Sequence, residues 1–138
     1  MHFITIGSET GVPVLFTHGW ARSHHDFIPT AEALAPYARS YLVDLPGFGE
    51  SARPEGTWDT KAYADHAVAF MKAQGVEKFI WVGHSFGGRM GLRAAVEHGE
   101  ALLGMVLAAS AGIPRQRSRW SKLKSRYSTR VFRLKRMV

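Results

Sequence analysis

The chain has 138 residues, of which 46% are apolar and 21% charged, a composition typical of a globular domain rather than a disordered or fibrous protein. It contains no cysteine, which excludes disulfides, thiolate catalysis and cysteine-built metal sites; the N-terminus does not resemble a signal peptide. We therefore expect a cytoplasmic protein without a cofactor or metal. The net charge of +7 comes from the end of the chain, because residues 1–113 contain 8 basic and 11 acidic residues, whereas residues 114–138 contain 10 basic and no acidic ones.

Strand and helix patterns alternate through the first 113 residues. Short apolar runs predict strands at 2–6, 14–17, 41–43, 79–82 and 102–108. Helical spacing of apolar residues predicts helices over 26–37, with Asp26 as a candidate cap, from 57–60 to Gly75, and over 86–98. Strands separated by helices predict the α/β class, with a mostly parallel sheet and flanking helices on both faces.

Ser85 lies in a G-x-S-x-G sequence between a predicted strand and a predicted helix. Gly83 and Gly87 leave room for a tight turn that holds the serine in a strained conformation. The turn places Ser85 at a helix N-terminus, where the Phe86 N–H and the helix dipole can stabilise a developing oxyanion. A glycine-rich turn that only packs closely is the alternative. The agreement of strand, spacing and helix favours a nucleophile.

Two more motifs precede the Ser85 turn. His-Gly-Trp at 18–20 follows a predicted strand, and Asp-Leu-Pro-Gly-Phe-Gly-Glu-Ser at 44–51 has the form D-x-P-G-x-G-x-S. With the Ser85 turn, these motifs resemble those of the α/β-hydrolase superfamily, in the same order along the chain. The resemblance covers residues 2 to about 113 and implies the N-terminal half of that fold, truncated at the start of the cap.

The resemblance also implies roles for the motif residues. Ser85 is the expected nucleophile, and the backbone N–H groups of Trp20 and Phe86 are the expected oxyanion hole. His18 and Gly19 are expected to support the oxyanion loop. A serine nucleophile implies cleavage of a small-molecule carboxylic ester through an acyl-enzyme, as in the serine carboxylesterases of the superfamily.

A serine hydroxyl needs a base, and in this superfamily the acid and the histidine follow the serine along the chain. After Ser85 the acids are Glu97 and Glu100, and the histidine is His98. These residues lie at the far end of the predicted helix, where the rise of about 1.5 Å per residue puts His98 roughly 20 Å from the serine. The triad acid and histidine are therefore expected outside this chain.

The histidines nearer to the motifs are not expected to replace that base. His84 precedes the serine and is expected to pack or to hydrogen-bond, while His24 and His25 are expected on a surface loop. The chain is thus expected to be an enzyme by family whose isolated activity is doubtful. The alternative is a non-catalytic truncated protein whose basic end binds an anionic partner.

Residues 114–138 form a separate basic segment in the predicted domain organisation. Its apolar residues are spaced as on one face of a helix: Trp120, Leu123, Tyr127, Val131 and Leu134. One interpretation is a basic helix for an anionic surface, and the other is the start of a cap whose apolar face lacks its partner. Its position favours the cap, so no specific nucleic acid or membrane partner is expected and anionic binding would be incidental.

Overall fold

The computed structural model describes residues 1–112, and the basic segment predicted at 114–138 lies outside them. The described chain forms five strands: β1 (Phe3–Gly7), β2 (Val12–Thr17), β3 (Ala38–Val43), β4 (Phe79–His84) and β5 (Leu102–Ala108). Its helices are α1 (Ile28–Leu34), α2 (Thr60–Ala73) and α3 (Phe86–Glu97), with 3-10 turns at His24–Phe27 and Gly99–Ala101. Of the helices described, none is both long and apolar enough to cross a membrane.

The strands form a single sheet in the order β1-β3-β2-β4-β5. Strand β1 pairs antiparallel with β3, whereas β2, β3, β4 and β5 run parallel to one another. In the centre of the sheet Leu15 pairs with Tyr41 on one side and with Trp81 on the other. The predicted α/β class with a mostly parallel sheet is confirmed.

The core lies on both faces of the sheet, because successive residues of β2 and β3 point to opposite sides and both sides are buried. Helices α2 and α3 cover one face and α1 covers the other. The first layer contains Leu15, Tyr41, Val43, Leu45, Ala64, Ala67, Val68, Met71, Phe79, Trp81, Met90 and Ala94. The second contains Val14, Phe16, Phe27, Ala31, Ala38 and Leu42. This packing fixes the carboxyl ends of β2, β3 and β4, where the three motifs lie.

Helix α2 has the ends that its sequence predicts. The Asp59 carboxylate caps it by accepting a hydrogen bond from the Ala62 N–H at 2.8 Å. Gly75 follows the last turn with φ +75°, a left-handed conformation that favours glycine. The start within 57–60 and the stop at Gly75 are confirmed.

The prediction that Asp26 caps α1 is wrong. The helix begins at Ile28, its N-cap is Phe27, and no side chain caps it. Asp26 lies in the preceding 3-10 turn, and its carboxylate accepts two hydrogen bonds from the Arg22 guanidinium at 2.8 and 2.6 Å. The paired cation four residues earlier therefore holds the carboxylate away from the helix terminus.

Strand β5 is less covered than the sequence predicts. The side chains of Leu103 and Val106 are 57% and 54% exposed, although both are apolar. Within residues 1–112, β5 pairs with β4 alone, so it is an edge of the described sheet. The expected covering of the sheet on both faces thus holds for the central strands and not for this one.

Candidate active site

Ser85 has the backbone conformation of a strained turn between β4 and α3. Its φ is +51° and its ψ −104°, a left-handed region that side chains rarely occupy. Three backbone hydrogen bonds hold it there. Its N–H donates to the Ala108 carbonyl at 2.9 Å, and its carbonyl accepts from the N–H groups of Arg89 and Ala111 at 3.1 and 3.0 Å. The turn is over-determined by its surroundings, which is how such strain persists.

The glycines on either side of Ser85 are required by close backbone contacts. A Cβ atom on Gly83 would lie 2.6 Å from the carbonyl oxygen of Gly87 and from the Cα of Gly88. A Cβ on Gly87 would lie 2.1 Å from the carbonyl oxygen of Thr17, at the end of β2. The turn can therefore approach both its own helix and the neighbouring strand only because neither position carries a side chain.

The segment at 18–20 lies directly against the Ser85 turn. The Gly87 N–H donates to the His18 carbonyl at 3.1 Å, which ties the segment to the first turn of α3. A Cβ on Gly19 would lie 2.9 Å from Nδ1 of His84 and 3.5 Å from the Cβ of Ser85. The absence of a side chain at Gly19 thus allows the loop to approach both Ser85 and the His84 imidazole closely.

His18 is fully buried and connects two of the motifs. Its Nε2 accepts a hydrogen bond from the Leu45 N–H at 3.0 Å, so its Nδ1 carries the hydrogen that is donated to the Gly19 carbonyl at 2.7 Å. Burial lowers the pKa of His18, which is consistent with this neutral tautomer. Both ring nitrogens are occupied, so His18 can hold the loop but cannot take a proton from Ser85.

Two backbone N–H groups are candidates for an oxyanion hole. Phe86 is the first residue of α3, so its N–H has no partner within the helix. Trp20 follows Gly19, and its indole ring contacts the Phe86 ring edge-on with centroids 5.3 Å apart. The structure places Trp20 against Phe86, the residue that follows Ser85, and the role of both N–H groups as donors remains a prediction.

Each of the seven histidines has a defined place in the described structure. Six are occupied by other contacts: His2 and His24 with Asp44, His18 with Leu45, His25 with Ser23, His66 with Trp58, and His98 with Asp65. The His98–Asp65 contact, at 2.8 Å, links the end of α3 to α2 rather than to the turn. The seventh, His84, packs against Gly19 and is the one imidazole adjacent to Ser85.

Asp44 and His24 form a buried pair that the sequence does not reveal. Asp44 is fully buried, and both its oxygens lie 3.0 Å from the His24 Nδ1. Burial raises the pKa of Asp44, but hydrogen bonds from the N–H groups of Glu50 and His24 and from the His24 ring outweigh it, so the pKa is lowered. The expectation that His24 is a surface residue is wrong, because Asp44 draws its ring into the protein; His25 is exposed as expected.

Comparison with known proteins defines the class to which this fold and turn belong. The family model described as alpha/beta hydrolase fold matches residues 12–136, which is most of the chain. The chain therefore belongs to the α/β-hydrolase family.

Individual relatives in this family carry different reactions in their names. The chain is 35% identical to a 1-acylglycerol-3-phosphate O-acyltransferase of Arabidopsis thaliana, over 79% of this chain and 28% of that protein. It is 38% identical to a pimeloyl-[acyl-carrier protein] methyl ester esterase of Xanthomonas campestris pv. campestris (strain B100), over 83% of this chain and 42% of that protein. A thermophilic esterase from Thermogutta terrifontis superposes with a TM-score of 0.76 and 29% identity, covering 89% of this chain and 44% of that one.

The chain spans less than half the length of these relatives. The range matched by the family model contains the serine turn and both preceding motifs. The names of the relatives include hydrolases, esterases and acyltransferases, so the family makes the chain part of an enzyme lineage without fixing its reaction or substrate.

Proposed function

We propose that Ser85 is the nucleophile of a serine hydrolase that cleaves carboxylic esters through an acyl-enzyme. Its Oγ attacks the ester carbonyl, the alcohol leaves, and water later releases the acid. The observation that carries the proposal is the left-handed Ser85 backbone, held by three hydrogen bonds at the start of α3. The esterase names of two relatives support an ester as substrate.

Stabilisation of the tetrahedral intermediate would come from two backbone N–H groups. Negative charge develops on the carbonyl oxygen when Ser85 attacks, and the Phe86 N–H lies at the positive end of the α3 dipole. The Trp20 N–H would be the second donor, on the loop that His18 fixes. This arrangement supports acyl transfer, because such donors act on the transition state without having to reorganise.

Aromatic rings surround the proposed site. Trp20, which is 66% exposed, contacts Phe48 and Phe86 with ring centroids 5.0 and 5.3 Å apart. Tyr63 also contacts Phe86 edge-on, with ring centroids 5.3 Å apart. An apolar rim of this kind favours an ester with an apolar or aromatic group beside the carbonyl.

The base that activates Ser85 would come from sequence beyond residues 1–138. Six histidines are occupied elsewhere, and His84 packs against Gly19 without a hydrogen bond, in the described structure, to a carboxylate that would orient it. The native chain alone is therefore expected to give no acyl-enzyme. A non-catalytic protein is the alternative function, and it predicts that the turn has no special reactivity even with a better nucleophile.

We expect the Ser85→Cys variant to become acylated by p-nitrophenyl acetate without any added base. A thiol is a few per cent ionised near neutral pH and is intrinsically nucleophilic, so it removes the need for the missing histidine. The oxyanion donors should then make acylation roughly tenfold or more faster than at an ordinary cysteine. The measurement is the rate of acetyl addition, followed by mass spectrometry.

The matched control is Ser8→Cys, a half-buried position in the turn between β1 and β2. Dividing each acetylation rate by the rate of alkylation with iodoacetamide removes differences in access and ionisation, because alkylation forms no oxyanion. Equal ratios in the two variants would contradict the proposed site. A burst of one equivalent from the native chain, lost in both Ser85→Ala and His84→Gln, would show instead that His84 is the base.

A further inference from the structure

Three segments distant in the sequence bring two imidazoles and a carboxylate together away from the serine. His2 comes just before β1, His24 opens the 3-10 turn after the oxyanion loop, and Asp44 follows β3. The His2 Nδ1 lies 3.1 Å from the Asp44 Oδ2, and the His24 Nδ1 lies 3.0 Å from both Asp44 oxygens. One ligand atom from each of the three residues lies within 4.8 Å of the others.

The arrangement has the donor types and spacing of a transition-metal site. Imidazole nitrogen and carboxylate oxygen bind zinc at about 2.0–2.2 Å, so neighbouring ligand atoms on one ion lie roughly 3–4 Å apart. Both rings already present the same nitrogen, Nδ1, to the carboxylate. A metal would need little movement of the side chains, because the ligand atoms already have about this spacing. Two of the side chains are also held in place by burial, since His24 is 4% exposed and Asp44 is fully buried.

The surroundings of the three side chains also suit a metal. The Glu50 and His24 N–H groups donate to Asp44 at 2.9 and 2.7 Å, which orients the carboxylate and keeps it ionised. The carboxylate of Glu50 lies 3.6 Å from the His2 Nε2, on the side of the ring opposite Asp44. Metal-binding histidines usually place their second nitrogen against such a group, which raises the basicity of the first.

We propose that His2, His24 and Asp44 bind one divalent transition metal of the zinc type. Each ring binds the metal through Nδ1 and carries its hydrogen on Nε2. Where Nδ1 carries the hydrogen before the metal binds, that proton moves to Nε2 or is released to water. A fourth position is left for water on the His2 side, where the imidazole is 30% exposed. This site is separate from the proposed ester chemistry and would exist whether or not that chemistry is correct.

The bound metal would act as a structural clamp. It would join the start of β1 to the end of β3 and to the 3-10 turn that follows the oxyanion loop. Asp44 is followed by Leu45, whose N–H fixes His18, so the clamp would also restrict the base of that loop. A metal that binds the folded chain and not the unfolded chain stabilises the fold by mass action.

The test is a titration of tag-free, EDTA-treated protein with Co²⁺, followed by its visible absorption, with Zn²⁺ as competitor. We expect one equivalent of Co²⁺ to bind with the spectrum of a low-coordinate site, and Zn²⁺ to displace it. Saturating Zn²⁺ should raise the Tm by roughly 5 °C or more. Residues 113–138 offer no competing side-chain ligands of these types, because they contain no His, Asp, Glu or Cys.

Two variants locate the site. His2→Gln and His24→Gln should each weaken Co²⁺ binding at least tenfold and remove the rise in Tm, and His2→Gln changes the more exposed of the two side chains, at 30% against 5%. His66→Gln, a histidine that packs on Trp58, is the control and should bind like the native chain. Absence of a one-equivalent Co²⁺ spectrum in the native protein, or undiminished binding in both ligand variants, overturns the proposal.

Discussion

Gly87→Ala is expected to lower the free energy of unfolding by about 3 kcal/mol or more. The new methyl group would lie 2.1 Å from the Thr17 carbonyl oxygen and 2.7 Å from its Oγ1. The first of these atoms belongs to the backbone of a central strand and cannot rotate away, so α3 itself must shift. The measurement is a urea unfolding curve followed by circular dichroism.

The control for this variant is Gly99→Ala, whose Cβ would have no heavy atom within 4 Å. Its unfolding midpoint should stay close to that of the native chain, because an alanine there meets no obstacle and only restricts the unfolded state. Equal unfolding midpoints for Gly87→Ala and Gly99→Ala would mean that the Ser85 turn and β2 are not in the contact described.

Asp44→Asn should also be strongly destabilising, by about 3 kcal/mol at neutral pH. The carboxylate accepts hydrogen bonds from the Glu50 and His24 N–H groups with different oxygens. An amide replaces one of these oxygens with an NH2 group, so a donor would face a donor inside the protein. Unfolding curves in EDTA measure this loss without any contribution from a bound metal.

The effect of Asp44→Asn should depend on pH in a defined direction. The pKa of Asp44 is lowered in the folded chain, so its stabilisation is present above the unfolded value of about 3.9 and is lost as the pH falls through the folded value. The difference in free energy of unfolding between the native chain and Asp44→Asn should thus disappear below about pH 4. Asp65→Asn is the control: Asp65 also contacts a histidine and has a lowered pKa, but it is 39% exposed and its loss should cost less than about 1 kcal/mol. If this difference in free energy of unfolding stayed the same at acid pH, Asp44 would not be ionised in the folded chain.

The sequence predicted those features that depend on neighbouring residues. The Ser85 turn was predictable because Gly83 and Gly87 are needed at fixed distances from the serine. The central strands were predictable because a strand buried on both faces is a continuous apolar run, as at 14–17. The start of α2 was predictable within 57–60, because residues that favour a helix N-terminus precede the apolar stripe there.

Other features depend on partners that local patterns do not contain. The burial of His24 results from Asp44, which lies 20 residues later. The failure of Asp26 to cap α1 results from competition by Arg22, an ion pair that the helical pattern does not reveal. Leu103 and Val106 look like core residues by composition, and only the neighbours of β5 decide whether they are covered. The cluster of His2, His24 and Asp44 combines three such long-range partnerships.

The hydrogen bonds of Ser85 to Ala108 and Ala111 also set an order of events during synthesis. Both partners lie more than 20 residues downstream of the serine, in β5 and the turn after it. While the ribosome still covers these two partners, their hydrogen bonds cannot form, and Ser85 is expected to keep an ordinary backbone conformation. The left-handed conformation of Ser85 is therefore expected to form only after the fifth strand has emerged and docked.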